Sequence, residues 1–350
     1  MSARDRETRR RSGSRRGGRR KPTIEDVAAA AGVSTATVSR ILNGVPNKAS
    51  EETTERVRRV VTDLGYIPVQ VGRSLSTMRS ALVALLTPDN RNAFYASIAD
   101  AVQRALNTTG NAMTLCNTRE NPDMQDAYID EMRSHLVSAF VLLGAVETPG
   151  LHRLLDDDYP VVFVNRKCPV EARYPFVGID NYAAGRDVAA HFASRGYRDC
   201  AALHGPLISS ASRERLEGFR DGLAAAGIQF AERRVGGCEL TMESGYERSG
   251  QLFHNGDWPR AIFCGNDPIA YGVYRRCREL GMRVPQDVAL FGFDDNPLND
   301  WLAPWLSTVH VPLAELGDRV GRIVADLLAG NDAAPRSLLL PYHLEIRTSA

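Results

Sequence analysis

The 350-residue chain contains no run approaching 18 uninterrupted apolar residues, which excludes an apolar membrane-spanning helix. Its N-terminus is arginine-rich but leads into no apolar h-region, which argues against a secretory signal peptide. Six cysteines (Cys116, Cys168, Cys200, Cys238, Cys264, Cys277) stand singly, with no CxxC. Neither a zinc ribbon nor a disulfide scaffold is supported, and reduced thiols in a cytoplasm are expected. GxSxG, HExxH, a P-loop and GxGxxG are all missing, and the seven histidines are scattered. No catalytic site, metal site or cofactor is therefore expected. Asp294-Asp295 could imitate an acid/base pair, but adjacent residues tend to point apart.

The charge is uneven. The overall net charge is +1, yet residues 1–80 carry 17 Lys/Arg against 8 Asp/Glu, and residues 81–350 are net −8. A basic module on an acidic body suits a polyanionic partner, and a basic solubility tail would give the same count. Residues 1–21 are mostly Arg, Gly and Ser, a composition that cannot bury a core and reads as a disordered arm. Nine arginines within residues 1–20 make a phosphate-tracking role and an idle terminus both open.

From residue 22 to 66 the rhythm is helical. Ile24, Val27, Ala28 and Ala31 fall at i, i+3, i+4 and i+7, and Gly32 ends that helix. Ser34 is placed to cap a second helix, Thr35 to about Leu42, with Val38, Ile41 and Leu42 inward. Ser50 caps a third, whose expected buried face is Val57, Val60, Val61 and Leu64. Two short helices about a glycine turn with a third across them make a helix-turn-helix, and the basic balance favours DNA as its partner. Thr35, Ala36, Ser39, Arg40 and Asn43 remain outward on the second helix. Arg40 has the fork that reads guanine.

After residue 81, apolar runs at 81–86, 139–143, 160–164, 201–204, 261–264 and 287–293 alternate with amphipathic segments at 94–109, 123–135, 181–195, 212–226 and 266–280. This is the pattern of parallel strands with crossover helices, an α/β body, and its length favours two lobes.

PTIEDVAAAAGVSTATVSRILNG (22–44), followed by SEETTERV and LGYIP, resembles the lac repressor family of bacterial transcription regulators. The likeness extends over the hinge and most of the body, and the loop at 45–50 is one residue longer than the family pattern. The resemblance implies an N-terminal all-α helix-turn-helix domain (22–66), a hinge helix and linker (67–80) and a two-lobed periplasmic-binding-protein-like body (81–350). The lobes are expected at about 81–164 with 296–328, and 165–295 with 329–350.

The implied DNA contacts are Thr23, Ser34, Thr35, Ala36, Thr37, Ser39, Arg40 and Asn43, with Arg73 and Leu75 in the hinge. The short VGRSLS segment is too short to be stable alone, and Leu75 matches the residue that wedges into the minor groove. Packing of Leu75 against the body is the other reading. The implied effector residues follow the strand ends: Phe94, Tyr95, Asn165, Arg166, Ser209, Arg213, Asn266 and Asp294. Helix core is open for Phe94 or Tyr95, a surface ion pair for Arg213, and a helix cap for Asp267.

The function implied is a repressor on pseudo-palindromic operator DNA, working as a homodimer without membrane contact, controlled by a sugar or polyol. A nucleoside or purine effector, a member without ligand, and a solute-binding protein without regulatory role are the alternatives.

Overall fold

The computed structural model describes residues 22–42, 49–66, 81–170, 173–331 and 337–350. The chain divides into two compact units, Met1–Met78 and Arg79–Ala350. The arm at 1–21, the hinge at 67–80, Asn43, Arg73 and Leu75 lie outside the described residues.

In the first unit, α1 (Ile24–Ala31), α2 (Thr35–Leu42) and α3 (Glu51–Leu64) enclose a small core of Val27, Ala28, Ala31, Val38, Ile41 and Val57. Thr23 begins α1 with a capping box, its backbone N–H donating to Asp26 Oδ2 at 2.8 Å. Gly32 (φ 66°) takes the left-handed turn between α1 and α2. Ser34 Oγ accepts from the Thr37 N–H at 3.1 Å and Ser50 Oγ from the Thr53 N–H at 3.2 Å, so both expected caps are made. Leu64 departs from expectation: it is exposed at the last turn of α3, where the short helix has run past the core it packs on.

The second unit holds two parallel sheets. β1 (Leu82–Thr87), β2 (Ala112–Asn117), β3 (Ala139–Leu142), β4 (Val161–Val164), β5 (Phe176–Ile179) and β11 (Ser337–Leu340) form one, in the order β11-β5-β4-β3-β1-β2. The helices α4 (Ala93–Thr108), α5 (Pro122–Ser134) and α6 (Pro149–Asp156) connect them. β6 (Cys200–His204), β7 (Val235–Gly237), β8 (Ala261–Cys264) and β9 (Ala289–Phe291) form the second, in the order β7-β6-β8-β9. Its helices are α7 (Asn181–Ser194), α8 (Ser210–Ala225), α9 (Met242–Leu252), α10 (Asp267–Glu279) and the short α11 (Asn299–Leu302). β10 (Thr308–His310) and β12 (His343–Glu345) pair antiparallel as a separate ribbon. α12 (Leu313–Leu328) returns to pack on α4.

Strand alternation sends Val83 and Leu85 to one core and Ala84 and Leu86 to another, so the first sheet is buried on both faces.

The expected lobe limits need correction. β5 hydrogen-bonds to β4 and β11 to β5, which puts 176–179 and 337–340 in the first lobe. Phe176–Ile179 is buried throughout and requires cover on both faces, which only a place inside the sheet supplies. Ala303 and Leu306 sit in the core of the second lobe, so its domain extends past 295 to about residue 307.

Candidate functional site

On the helical first unit, Ser34, Thr35, Ala36 and Arg40 are exposed and Thr23, Thr37 and Ser39 half-buried. Thr35 to Arg40 lie on α2 with Ser34 at its start, and Thr23 lies at the start of α1. Ser34 and Thr37 are tied to each other, Oγ to Oγ1 at 2.9 Å, and spend part of their hydrogen-bonding capacity on the helix start.

In the body, the two sheets deliver their strand ends to one cleft. The inner chamber is lined by Phe94, Tyr95, Asn165 and Arg166 from the first lobe and Ser209, Asn266 and Asp294 from the second. Seven of the eight expected effector residues thus meet there. The eighth, Arg213, does not. It is exposed on α8 and donates to the Leu207 carbonyl at 3.1 Å.

Arg215, two residues on, is the buried guanidinium that the sequence reading missed. Its Nε donates to Asn181 Oδ1 (2.9 Å), its Nη1 to the Gly265 carbonyl (2.7 Å), and its Cζ lies 3.5 Å from the Phe293 ring centroid. Nη1 is also 3.4 Å from Asp294 Oδ1. Close helix packing sets this position. A Cβ on Gly185 of α7 would meet the Arg215 carbonyl oxygen at 2.2 Å, and one on Gly218 of α8 the Tyr182 carbonyl oxygen at 2.0 Å.

Opposite, Arg166 is 2% exposed, with Nη2 donating to Glu120 Oε1 (2.6 Å) and Tyr95 Oη (3.2 Å). Glu120 and the Tyr95 hydroxyl sustain this buried cation, and the Arg166 pKa rises despite desolvation. Phe94 and Tyr95 are both buried, edge to face with centroids 5.4 Å apart, and Tyr95 lines the outer cleft as well as the chamber.

Asn266, not Asp267, caps α10, its Oδ1 accepting from the Ile269 N–H at 2.9 Å. Asp267 instead accepts from the Thr308 hydroxyl (2.6 Å), the Asn296 N–H (2.7 Å) and Asn299 Nδ2 (2.8 Å). Burial pushes its carboxyl up to about 6, although these donors pull the other way.

Asp295 turns from the chamber to His310 Nδ1 (2.8 Å) and Arg347 Nη2 (3.0 Å) and is held below the usual carboxylate range. Asp294 faces the chamber. Desolvation pushes it up to about 8, with Arg215 acting in the opposite direction.

Five non-glycine residues of the cleft region have left-handed φ: Arg119 (53°), Glu120 (53°), Asn165 (64°), Asp294 (107°) and Asp295 (48°). Such conformations persist only where the surroundings impose them. Two buried polar atoms here have no hydrogen-bond partner: Arg166 Nη1 from the first lobe and Asp294 Oδ1 from the second. The chamber they line measures about 10 Å³, close to one water, and shares Asn92, Tyr95 and Leu240 with the lining of an outer cleft of about 470 Å³.

Residues 23–69 match the family model of bacterial regulatory proteins, lacI family, and residues 189–350 that of a periplasmic binding protein-like domain. The chain is 33% identical over 338 residues to the HTH-type transcriptional regulator CelR of Thermobifida fusca, covering 95% of this chain and 99% of that protein. It is 31% identical over 299 residues to the ribose operon repressor of Escherichia coli strain K12, covering 85% and 90%. The solved CelR–cellobiose complex matches with a TM-score of 0.72 at 31% identity, covering 94% of this chain and 100% of that one. The lac repressor dimer bound to operator and the anti-inducer ONPF matches with a TM-score of 0.83 at 24% identity, covering 94% and 99%, a likeness of fold alone.

A helix-turn-helix unit joined to a two-lobed binding body defines a DNA-binding transcriptional regulator. The chain belongs to the lacI family of bacterial regulatory proteins.

Proposed function

We propose that this regulator is a repressor whose operator affinity is set by a sugar or polyol held between the two lobes of the body. The observation that carries this reading is a pair of buried chamber atoms without a hydrogen-bond partner, Arg166 Nη1 from one lobe and Asp294 Oδ1, 3.4 Å from Arg215 Nη1, from the other. A donor and an acceptor on opposite lobes suit a ligand that is both, as a hydroxyl is. Ligand bridging the two would favour the closed arrangement of the lobes and so shift the DNA-binding population. The solved relative CelR in complex with cellobiose supports a sugar.

On the DNA side, Thr35, Ala36 and Arg40 read base edges, Ser34, Thr37, Ser39 and Thr23 hold the backbone, and Asn43, Arg73 and Leu75 complete the contact. Operator sites are pseudo-palindromic and the regulator is a homodimer acting in the cytoplasm, with one headpiece per half-site. Trp301 (84% exposed), Leu302 and Leu298 form an exposed apolar cluster at α11 that supports self-association. No described helix is long and apolar enough to cross a membrane. The chain is not an enzyme, in keeping with relatives that are transcriptional regulators.

A thermal-shift screen of sugars, polyols and nucleosides on the full chain tests the effector, since a ligand that binds the folded state raises Tm. A hit must also change binding to promoter DNA in gel shifts. Stabilisation by nucleosides alone would overturn the sugar reading.

A further inference from the structure

Among the described residues, Lys167 joins the lobes directly beside the chamber, apart from the chain crossings. Lys167 leaves β4 on the first lobe, and its backbone N–H donates to Ser210 Oγ at 2.9 Å. Its Nζ donates to Glu214 Oε1 at 2.6 Å. Ser210 and Glu214 both stand on α8 of the second lobe.

Each of the three residues is the immediate neighbour of one that lines the chamber. Lys167 follows Arg166, Ser210 follows Ser209, and Glu214 precedes Arg215. Adjacent side chains on a helix point in different directions, so α8 turns Arg215 inward and Glu214 towards Lys167. Asn165 holds a left-handed φ of 64° at the strand exit, which lets Arg166 enter the chamber while Lys167 reaches across.

We propose that Lys167, Ser210 and Glu214 form an interlobe clasp that favours the closed body and positions Arg166 and Arg215 on either side of the effector. They are positioning residues. The clasp rests on the cleft being the effector site for its purpose, though its existence as a closing contact does not. With the lobes clasped, the outer cleft of about 470 Å³ still stands open to a ligand beside the contact. Glu214 is 19% exposed and Lys167 49%, and a half-exposed ion pair shifts a two-state balance by a few-fold. That is enough to set how readily the body opens without locking it.

The test uses the full chain and charge reversal. Lys167→Glu and Glu214→Lys are made singly and together, with Ser210→Ala as a variant that removes only the acceptor of the Lys167 amide. Hydrogen exchange is followed in peptides spanning 164–170 and 207–216, and binding of cellobiose, used as the probe sugar, is measured by calorimetry. Each single reversal is expected to speed exchange in both peptides roughly three- to ten-fold and to raise the Kd for cellobiose by a similar factor. The double reversal is expected to restore both. Ser210→Ala should speed exchange at 164–170 while melting as the parent does.

Unchanged exchange in the single variants, or no recovery in the double, would overturn the clasp. If cellobiose and the screened sugars all fail to bind, the exchange measurements still decide the clasp, and it is the sugar reading that falls. If cellobiose binds with one affinity to all variants while exchange responds, the positioning role is overturned.

Discussion

Asp294 Oδ1 lies 3.4 Å from Arg215 Nη1, and burial works against the charge on both. The carboxyl is pushed up to about 8, and the guanidinium is lowered. Removing two ions from water costs more than one long contact returns. For an acid whose folded pKa exceeds its unfolded value near 3.8, the folded state binds the extra proton in between. Its contribution to stability is complete below the unfolded value and is lost as pH rises through the folded one. Asp267, pushed up to about 6, contributes with the same sign in a lower window. The melting temperature of the body is therefore expected to fall from pH 6 to pH 8 by this group. Asp294→Asn should flatten that slope and leave between pH 4 and 6 only the part that Asp267 contributes. Melting curves by calorimetry across pH 5–9 check it, and an unchanged slope in the variant would place the proton elsewhere.

Arg215 and Arg213 make a sharp comparison because they share a helix. Arg215→Ala removes a buried cation with three polar contacts and leaves Asn181 Oδ1 and Asp294 Oδ1 without it. Effector affinity is expected to fall more than 100-fold, about the loss of a charged hydrogen bond. Arg213→Ala should change it by less than about threefold, as expected of an exposed contact. Calorimetric titration with the sugar found in the thermal screen measures both.

That pair also shows what the sequence could and could not say. Residues two apart on a helix point to nearly opposite sides, so a register uncertain by two exchanges a lining residue for a surface one. The signal was present. Ala211, Arg215 and Phe219 fall at i, i+4 and i+8, and a charged residue on that apolar stripe is a buried one. The helix-turn-helix was legible almost residue by residue because its caps and turns are local, and the chamber residues because they follow strand ends. Strand membership was less so. Nothing between residues 165 and 180 says that Phe176–Ile179 pairs with β4, since sheet partners are fixed by non-local packing.

Gly218 carries a prediction about packing. A Cβ there would stand 2.0 Å from the Tyr182 carbonyl oxygen, backbone that cannot swing aside. Gly218→Ala should force α7 and α8 apart and cost about 1–3 kcal/mol, the range for overpacking a tight contact. Because Gly185 places Arg215 through the same helix pair, weakened effector binding should accompany the lowered Tm.

Ile41 and Arg40 separate folding from reading in the DNA-binding unit. Ile41 belongs to a core of six buried residues. Ile41→Ala is expected to cost about 2–5 kcal/mol, comparable with the whole stability of so small a unit. Operator binding should be lost together with the helical signal of residues 22–66 measured on that segment or by exchange in the full chain. Arg40 is exposed on α2. Arg40→Ala should leave the helices intact and relax base preference at one position per half-site, costing about 1–3 kcal/mol on the preferred duplex. Gel shifts against operator and random duplex distinguish the two losses.

Trp301 is 84% exposed on the surface of the second lobe, with Leu302 at 72% and Leu298 at 41% beside it. Three large apolar side chains on a four-residue helix and its approach are costly to leave in water, and a two-fold contact would bury them against their own copies. Asn299 fixes the patch from beneath, accepting from the Tyr271 hydroxyl at 2.6 Å and donating to Asp267 at 2.8 Å. The surface is therefore held in place before any partner arrives. Trp301→Glu puts a charge where the copies would meet while touching no core residue, so the chain should fold with an unchanged melting profile at high dilution. Sedimentation at micromolar concentration should show half the mass of the parent. Operator affinity should fall steeply because each separated chain brings one headpiece to one half-site, and affinity for a single half-site duplex should stay as it was. A Trp301→Glu chain that still sediments as a dimer would move the two-fold contact away from α11.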